Sequence, residues 1–140
     1  MKKKSILLIE DDELDIISFQ RTISKFNIEY ELHTAYNGKE ALVILTGANA
    51  IKPDLILLDL SMPKMNGFEF LKVLRSNAEL CNLSVFVMTT SSEPSDRNQA
   101  EQYGIKGYFI KPLSYTDNTR KTDSMEAFVQ FHLRHILTNG

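Results

Sequence analysis

The chain has almost no cysteine, no long apolar run and no strong excess of either charge. Cys81 stands alone among 140 residues, so neither an intrachain disulfide nor a cysteine metal cluster can form. That accords with a reducing compartment. The apolar runs fall far short of the roughly 18 residues that a membrane-spanning helix needs. Ser5–Ile9 is too short for a secretory signal and meets the acids Glu10-Asp11-Asp12 at once, with no small-residue cleavage site behind it. A cytoplasmic protein is the expectation. A net charge of −2 gives no bulk attraction to nucleic acid or to an anionic membrane, and Lys2–Lys4 is too short to count as a basic tract. There is no internal repeat and no low-complexity segment. No Gly-x-Gly-x-x-Gly follows the first strand, which argues against dinucleotide binding. His33, His132 and His135 have no metal-ligand company.

What is present reads as an ordinary globular chain, 43% apolar and 24% charged. Its length points to a single domain over 1–140, able to bury a core without staples. Strand-like and helix-like stretches alternate. Ser5–Ile9 is a short β run. Asp12 or Glu13 opens a helix with Ile16, Phe19, Ile23 and Phe26 on one face, and Asn27 stops it. Asp12 suits the N-cap, with Asp15 three residues on, and first-turn acids favour the helix dipole. Tyr30–Tyr36 is a second strand. Lys39–Leu45 is a second helix, ended by Gly47. Leu55–Leu58 is apolar throughout, as strands covered on both faces are. Phe70, Leu71 and Leu74 mark a third helix from Gly67 to about Ala78. Leu83–Thr89 is a strand, and Pro94 starts a polar helix that Gly104 ends. Lys106–Ile110 is the fifth strand. A polar stretch, Ser114–Asp123, precedes a last helix over Met125–Leu137. Alternation of this kind predicts an α/β fold, a parallel sheet with helices on both faces.

Open parallel sheets carry their reactive groups at the carboxyl ends of the strands. Here those ends hold Glu10 and Asp11, then Asp59, then Thr89, then Lys111. Converging carboxylates repel, which calls for a cation. Hard oxygen ligands suit Mg²⁺. A lysine can bind phosphoryl oxygens by charge-assisted hydrogen bonds. A carboxylate can attack phosphorus to give an aspartyl phosphate, and a hydroxyl can bond a phosphoryl oxygen. Phosphoryl transfer needs mainly positioning and charge neutralisation, and this set supplies both.

The motifs Ile9-Glu10-Asp11, Asp59-Leu-Ser-Met62-Pro63-Lys-Met-Asn66-Gly67, Thr89 and Lys111-Pro112, in this order, resemble those of response-regulator receiver domains of two-component signalling. The likeness runs from about Ser5 to Pro112, with a final helix where the family has one. It implies a flavodoxin-like (βα)5 fold, doubly wound, with five parallel strands in the order 2-1-3-4-5. It also implies roles. Asp59 is the phosphorylated residue. Asp11 binds Mg²⁺ directly, together with Asp59 and the backbone carbonyl of Ser61, while Glu10 holds a water of the metal. Lys111 pairs with the phosphoryl group, and the Lys111–Pro112 bond is cis. Thr89 and Tyr108 form the switch, and a histidine kinase is the phosphoryl donor.

Some positions depart from the family pattern. Thr90 stands where receivers usually keep a small residue beside the phosphate. The 114–123 loop is longer than the family's usual link, as in a partner-specific insert. Phe131 falls off the apolar stripe of the last helix, on a surface that receivers use for partners, and is a candidate interface residue. After Pro112 only a loop and a helix over about 124–137 remain, so a stand-alone receiver is expected. Its output would pass through a partner protein, a homodimer or a histidine phosphotransfer protein. Similar single-domain receivers serve phytochrome-type kinases. The expected protein is a phosphoryl acceptor rather than an enzyme with turnover. Two rivals are an unphosphorylated pseudo-receiver scaffold and a phosphatase with Asp59 as nucleophile. The second wants Asp-x-Asp on the first strand, whereas position 61 is Ser and the strand is the third.

Overall fold

The computed structural model describes residues 4–24, 29–62 and 65–111. The Lys111–Pro112 bond, the 114–123 loop, the last helix with Phe131, His132 and His135, and the helix stop at Asn27 lie outside the described residues. Within them the order is β1 (Lys4–Ile9), α1 (Glu13–Ser24), β2 (Tyr30–Ala35), α2 (Gly38–Thr46), β3 (Leu55–Leu58), α3 (Gly67–Ser76), β4 (Val85–Thr89), α4 (Pro94–Glu101) and β5 (Gly107–Ile110). The strands form one sheet in the order β2-β1-β3-β4-β5, all pairs parallel, as the resemblance implies.

The apolar pattern of each strand is explained by what covers it. Alternate residues of β1 point to opposite faces. Ile6 and Leu8 join Ile16, Phe19 and Ile23 of α1 on one side, while Leu7 and Ile9 join Ala41, Leu45, Phe70, Leu71 and Leu74 of α2 and α3 on the other. All four residues of β3 are fully buried, which is why that run carries no polar alternation. Burying each such side chain contributes about 1.5–3 kcal/mol.

Helix and strand ends differ from the sequence expectation by a residue or two, for visible reasons. The third helix stops at Ser76 rather than Ala78 because the Asn77 side chain accepts from the amides of Glu79 and Leu80 and starts a new turn. The fourth strand begins at Val85 rather than Leu83, since the Leu83 amide instead closes a turn onto Leu80 O at 3.1 Å. Asp12 does cap α1, its Oδ1 accepting from the Leu14 amide at 2.9 Å. Gly104 ends the turn after α4 with φ of 71°, a conformation that favours glycine.

Candidate functional site

Register places the reactive side chains. Ile9 is level with Leu58 on one side and with Ala35 on the other. The ladder then continues one residue beyond the strands. Glu10 N donates to Ala35 O at 2.9 Å, Asp59 N to Ile9 O at 3.1 Å, and Lys111 N to Thr89 O at 2.7 Å. Glu10, Asp59 and Lys111 are thus held by backbone bonds at one edge of the sheet, and their side chains meet across it. The Asp59 loop is locked by Gly67, whose amide donates to Leu60 O at 3.0 Å. A Cβ on Gly67 would lie 2.6 Å from Leu60 Cα and 2.7 Å from Asp59 O, so glycine is needed for this close approach.

Lys111 is the hub. Its Nζ lies 2.5 Å from Glu10 Oε1, 2.7 Å from Asp15 Oδ2 and 3.5 Å from Asp59 Oδ2. Asp59 Oδ1 accepts from the Ser61 amide at 3.2 Å, and Glu10 Oε2 from the Asp12 amide at 3.2 Å. Glu10 is fully buried and Asp59 nearly so, whereas Asp11 and Ser61 are exposed. Burial, and then the neighbouring Asp59 charge, push the Glu10 carboxyl up to about 8. Burial raises Asp59 as well, against the pull of Lys111 and the Ser61 amide. For Lys111, burial acts downward but is outweighed by its bonds to Asp15 and Glu10, so the ammonium stays charged. One ammonium thus faces three carboxyl groups, two of them buried.

Carboxylate oxygens of Glu10, Asp11 and Asp59 all lie within 4.8 Å of one another. An all-oxygen set of this charge, with one member open to solvent, fits a hard divalent cation. On the far side of Asp59, Thr89 is buried at the end of β4 and its Oγ1 accepts from the Ser91 amide at 3.3 Å. Tyr108 is buried, its hydroxyl donates to Ser91 O at 3.0 Å, and the Arg97 guanidinium sits 5.5 Å from its ring centre. Ser91 Oγ in turn donates to Asp96 Oδ2 at 2.6 Å. Thr90 is exposed.

Comparison with known proteins decides the family. A profile described as the response regulator receiver domain matches residues 6–122. The chain belongs to the response regulator receiver family. Among curated receivers, the polar-differentiation response regulator DivK of Brucella anthropi is 34% identical over 111 residues, 79% of this chain and 86% of its own. Response regulator Rcp1 of Synechocystis sp. is 31% identical over 129 residues, covering 89% of this chain and 88% of its own. A manganese-bound crystal structure of a response regulator Rcp1 superposes with a TM-score of 0.78 at 31% identity, over 91% of this chain and 93% of that one. The phosphorylated cyanobacterial phytochrome response regulator RcpA gives a TM-score of 0.79 at 31% identity, over 94% and 95%.

In this receiver, the residues singled out from sequence at 10, 11, 59 and 111 do converge, Thr89 O accepts from the Lys111 amide, and Tyr108 bonds the chain after Thr89 at Ser91. One participant in the site had no signal in the sequence. Asp15 reads there as a first-turn acid of α1, yet its carboxylate bonds Lys111, 96 positions away. Outside the site, Arg75 stands in the last turn of α3 but does not stay on its own helix. It donates instead to the carbonyls of Cys81 and Leu83 before β4, and of Tyr103 and Gly104 after α4. No helix among the described residues is long and apolar enough to cross a membrane.

Proposed function

We propose that this receiver takes a phosphoryl group on Asp59 from a histidine kinase and reports it through the surface around α4 and β5. The observation that supports this best is the convergence of Glu10, Asp11 and Asp59 carboxylates with the Lys111 ammonium at the carboxyl edge of the sheet. An Asp59 carboxylate oxygen attacks phosphorus in line, the bond from phosphorus to the donor breaks, and the donor leaves with that electron pair. The product is an aspartyl phosphate. Lys111 holds one phosphoryl oxygen, and the Thr89 hydroxyl another. Asp11, Asp59 and the Ser61 carbonyl would hold Mg²⁺, with Glu10 on its water, and the ion would neutralise charge on the transferred group. The manganese-bound form of Rcp1 supports a divalent cation, and the phosphorylated form of RcpA supports the acceptor role.

Tyr108 and Thr89 flank α4 through Ser91, so drawing Thr89 toward the phosphoryl group would disturb the Tyr108–Ser91 bond. That shifts the population of α4 positions rather than creating a new one. The 1–140 chain is read as one receiver domain acting in the cytoplasm. Its output passes to an effector protein, a second copy or a histidine phosphotransfer protein. The phytochrome response regulators among its structural relatives favour a phytochrome-type kinase as donor. A pseudo-receiver would be expected to lack part of this set, and a phosphatase would use its aspartate on the first strand.

The test uses acetyl phosphate with Mg²⁺ and intact-mass measurement. The wild-type chain gains one acid-stable, base-labile phosphoryl group, chelator abolishes the gain, and Asp59→Asn does not gain it. Labelling of Asp59→Asn at the wild-type level would overturn the reading.

A further inference from the structure

Lysine has three N–H donors, and in Lys111 carboxylates surround all of them: Glu10, Asp15 and Asp59. The contacts are unequal. Those to Glu10 and Asp15 are 2.5 and 2.7 Å, while that to Asp59 is 3.5 Å. The ammonium is therefore drawn toward α1 and away from Asp59. Glu10 and Asp59 come from neighbouring strands and belong to the set already described. Asp15 comes from α1, its side chain is 28% exposed, and it is outside the Glu10–Asp11–Asp59 cluster. Its bond to a lysine side chain that is only 7% exposed is shielded from solvent on the lysine side.

We infer that Asp15 is a positioning residue that tethers Lys111 in the unphosphorylated state and sets how readily the site accepts a phosphoryl group. This rests on the phosphoacceptor reading of Asp59. Two effects act in the same direction. To bind phosphoryl oxygens fully, Lys111 must loosen its bond to Asp15, so the tether favours the empty acceptor. The Asp15 charge also adds to the repulsion that a phosphoryl dianion meets beside Glu10 and Asp11. Removing it weakens the empty state and relieves the occupied one. Asp15 bonds Lys111 and is outside the Glu10–Asp11–Asp59 cluster, so it acts through Lys111 and its own field.

The test titrates beryllofluoride, a tetrahedral phosphoryl mimic, into protein at saturating Mg²⁺ and reads bound fluorine by NMR. The variants are Asp15→Asn, Asp15→Ser, Asp15→Glu and, as a control for charge alone, Glu13→Gln. Glu13 lies in the same helical turn but bonds Tyr36 instead of Lys111. Asp15→Asn and Asp15→Ser should bind the mimic on the order of five- to tenfold more tightly, the size expected when one charge-assisted bond is lost from one state only. Glu13→Gln should change binding by less than about twofold, as exposed charges do. Asp15→Glu should stay near wild type because charge and reach are kept. Equal or weaker binding by both Asn and Ser variants, or an Asp15→Glu protein that matches them, overturns the tether. A wild-type chain that binds no mimic overturns the acceptor reading instead, and the two failures are thereby told apart.

Discussion

The helices α3 and α4 both follow a strand that ends at the site, yet they are attached in opposite ways. Helix α3 begins with a full capping box, Asn66 and Glu69 each accepting from the other's amide at 3.0 Å. It buries Gly67, Phe70, Leu71 and Leu74. Helix α4 has no side-chain cap at Glu93, and Ala100 is its one buried residue. It is held by polar contacts instead, through Ser91 and Asp96, Arg97 over Tyr108, and Arg75 at its far end. The helix beside Asp59 is fixed, and the one beside Thr89 and Tyr108 is lightly held. Elements that move are drawn from the weakly packed end of a structure. The division suits the function proposed above, in which Asp59 keeps its geometry while the surface around α4 and β5 changes.

The sharpest way to break this contrast is at Gly67. Gly67→Val drives a side chain into the backbone of Asp59 and Leu60, and should cost about 3 kcal/mol in urea unfolding, the upper end for overpacking. Acetyl phosphate labelling should fall with it. A smaller effect is expected at the caps. Asn66→Ala should cost about 1 kcal/mol by the same measurement, whereas Glu93→Ser should stabilise by about 0.5 kcal/mol by supplying a cap that α4 lacks. If both changes were neutral, capping would not distinguish the helices. An effect as small as that of Glu93→Ser, but destabilising, is expected for Tyr108→Phe, about 0.5 kcal/mol for its bond to Ser91. Hydrogen exchange should speed up at the amides of α4 and stay constant in α3. Equal acceleration in both helices would mean that α4 is not the separately yielding element.

Much of the scaffold is legible in the sequence because it rests on local patterns. The apolar run of β3, the stripe Ile16, Phe19 and Ile23, the Asp12 cap and the turn around Asn66-Gly67 each report their own surroundings. The acids at 10, 11 and 59 with Thr89 and Lys111 are legible because alternation of strands and helices forces strand ends to one edge. The pairing of Asp15 with Lys111 depends on how α1 docks on the sheet, which no spacing within 12–24 encodes. Arg75 is opaque for a related reason. Its partners are backbone carbonyls, which carry no residue type to recognise. Asn77 ended α3 early because its side chain competes for local amides, a preference that the apolar spacing of Phe70, Leu71 and Leu74 does not display.

The bond from Lys111 to Glu10 joins positions 101 apart, nearly the full length of the described chain. Contacts of such separation close late, since the intervening loop entropy must be met before they form. β1, β3 and β5 have to be in register before the ammonium can reach the carboxylates. A half-made chain, or one with β5 detached, therefore presents Asp59 as an ordinary acid with no cationic partner. An intact Lys111 cluster is therefore a sign that the sheet from β1 to β5 has closed.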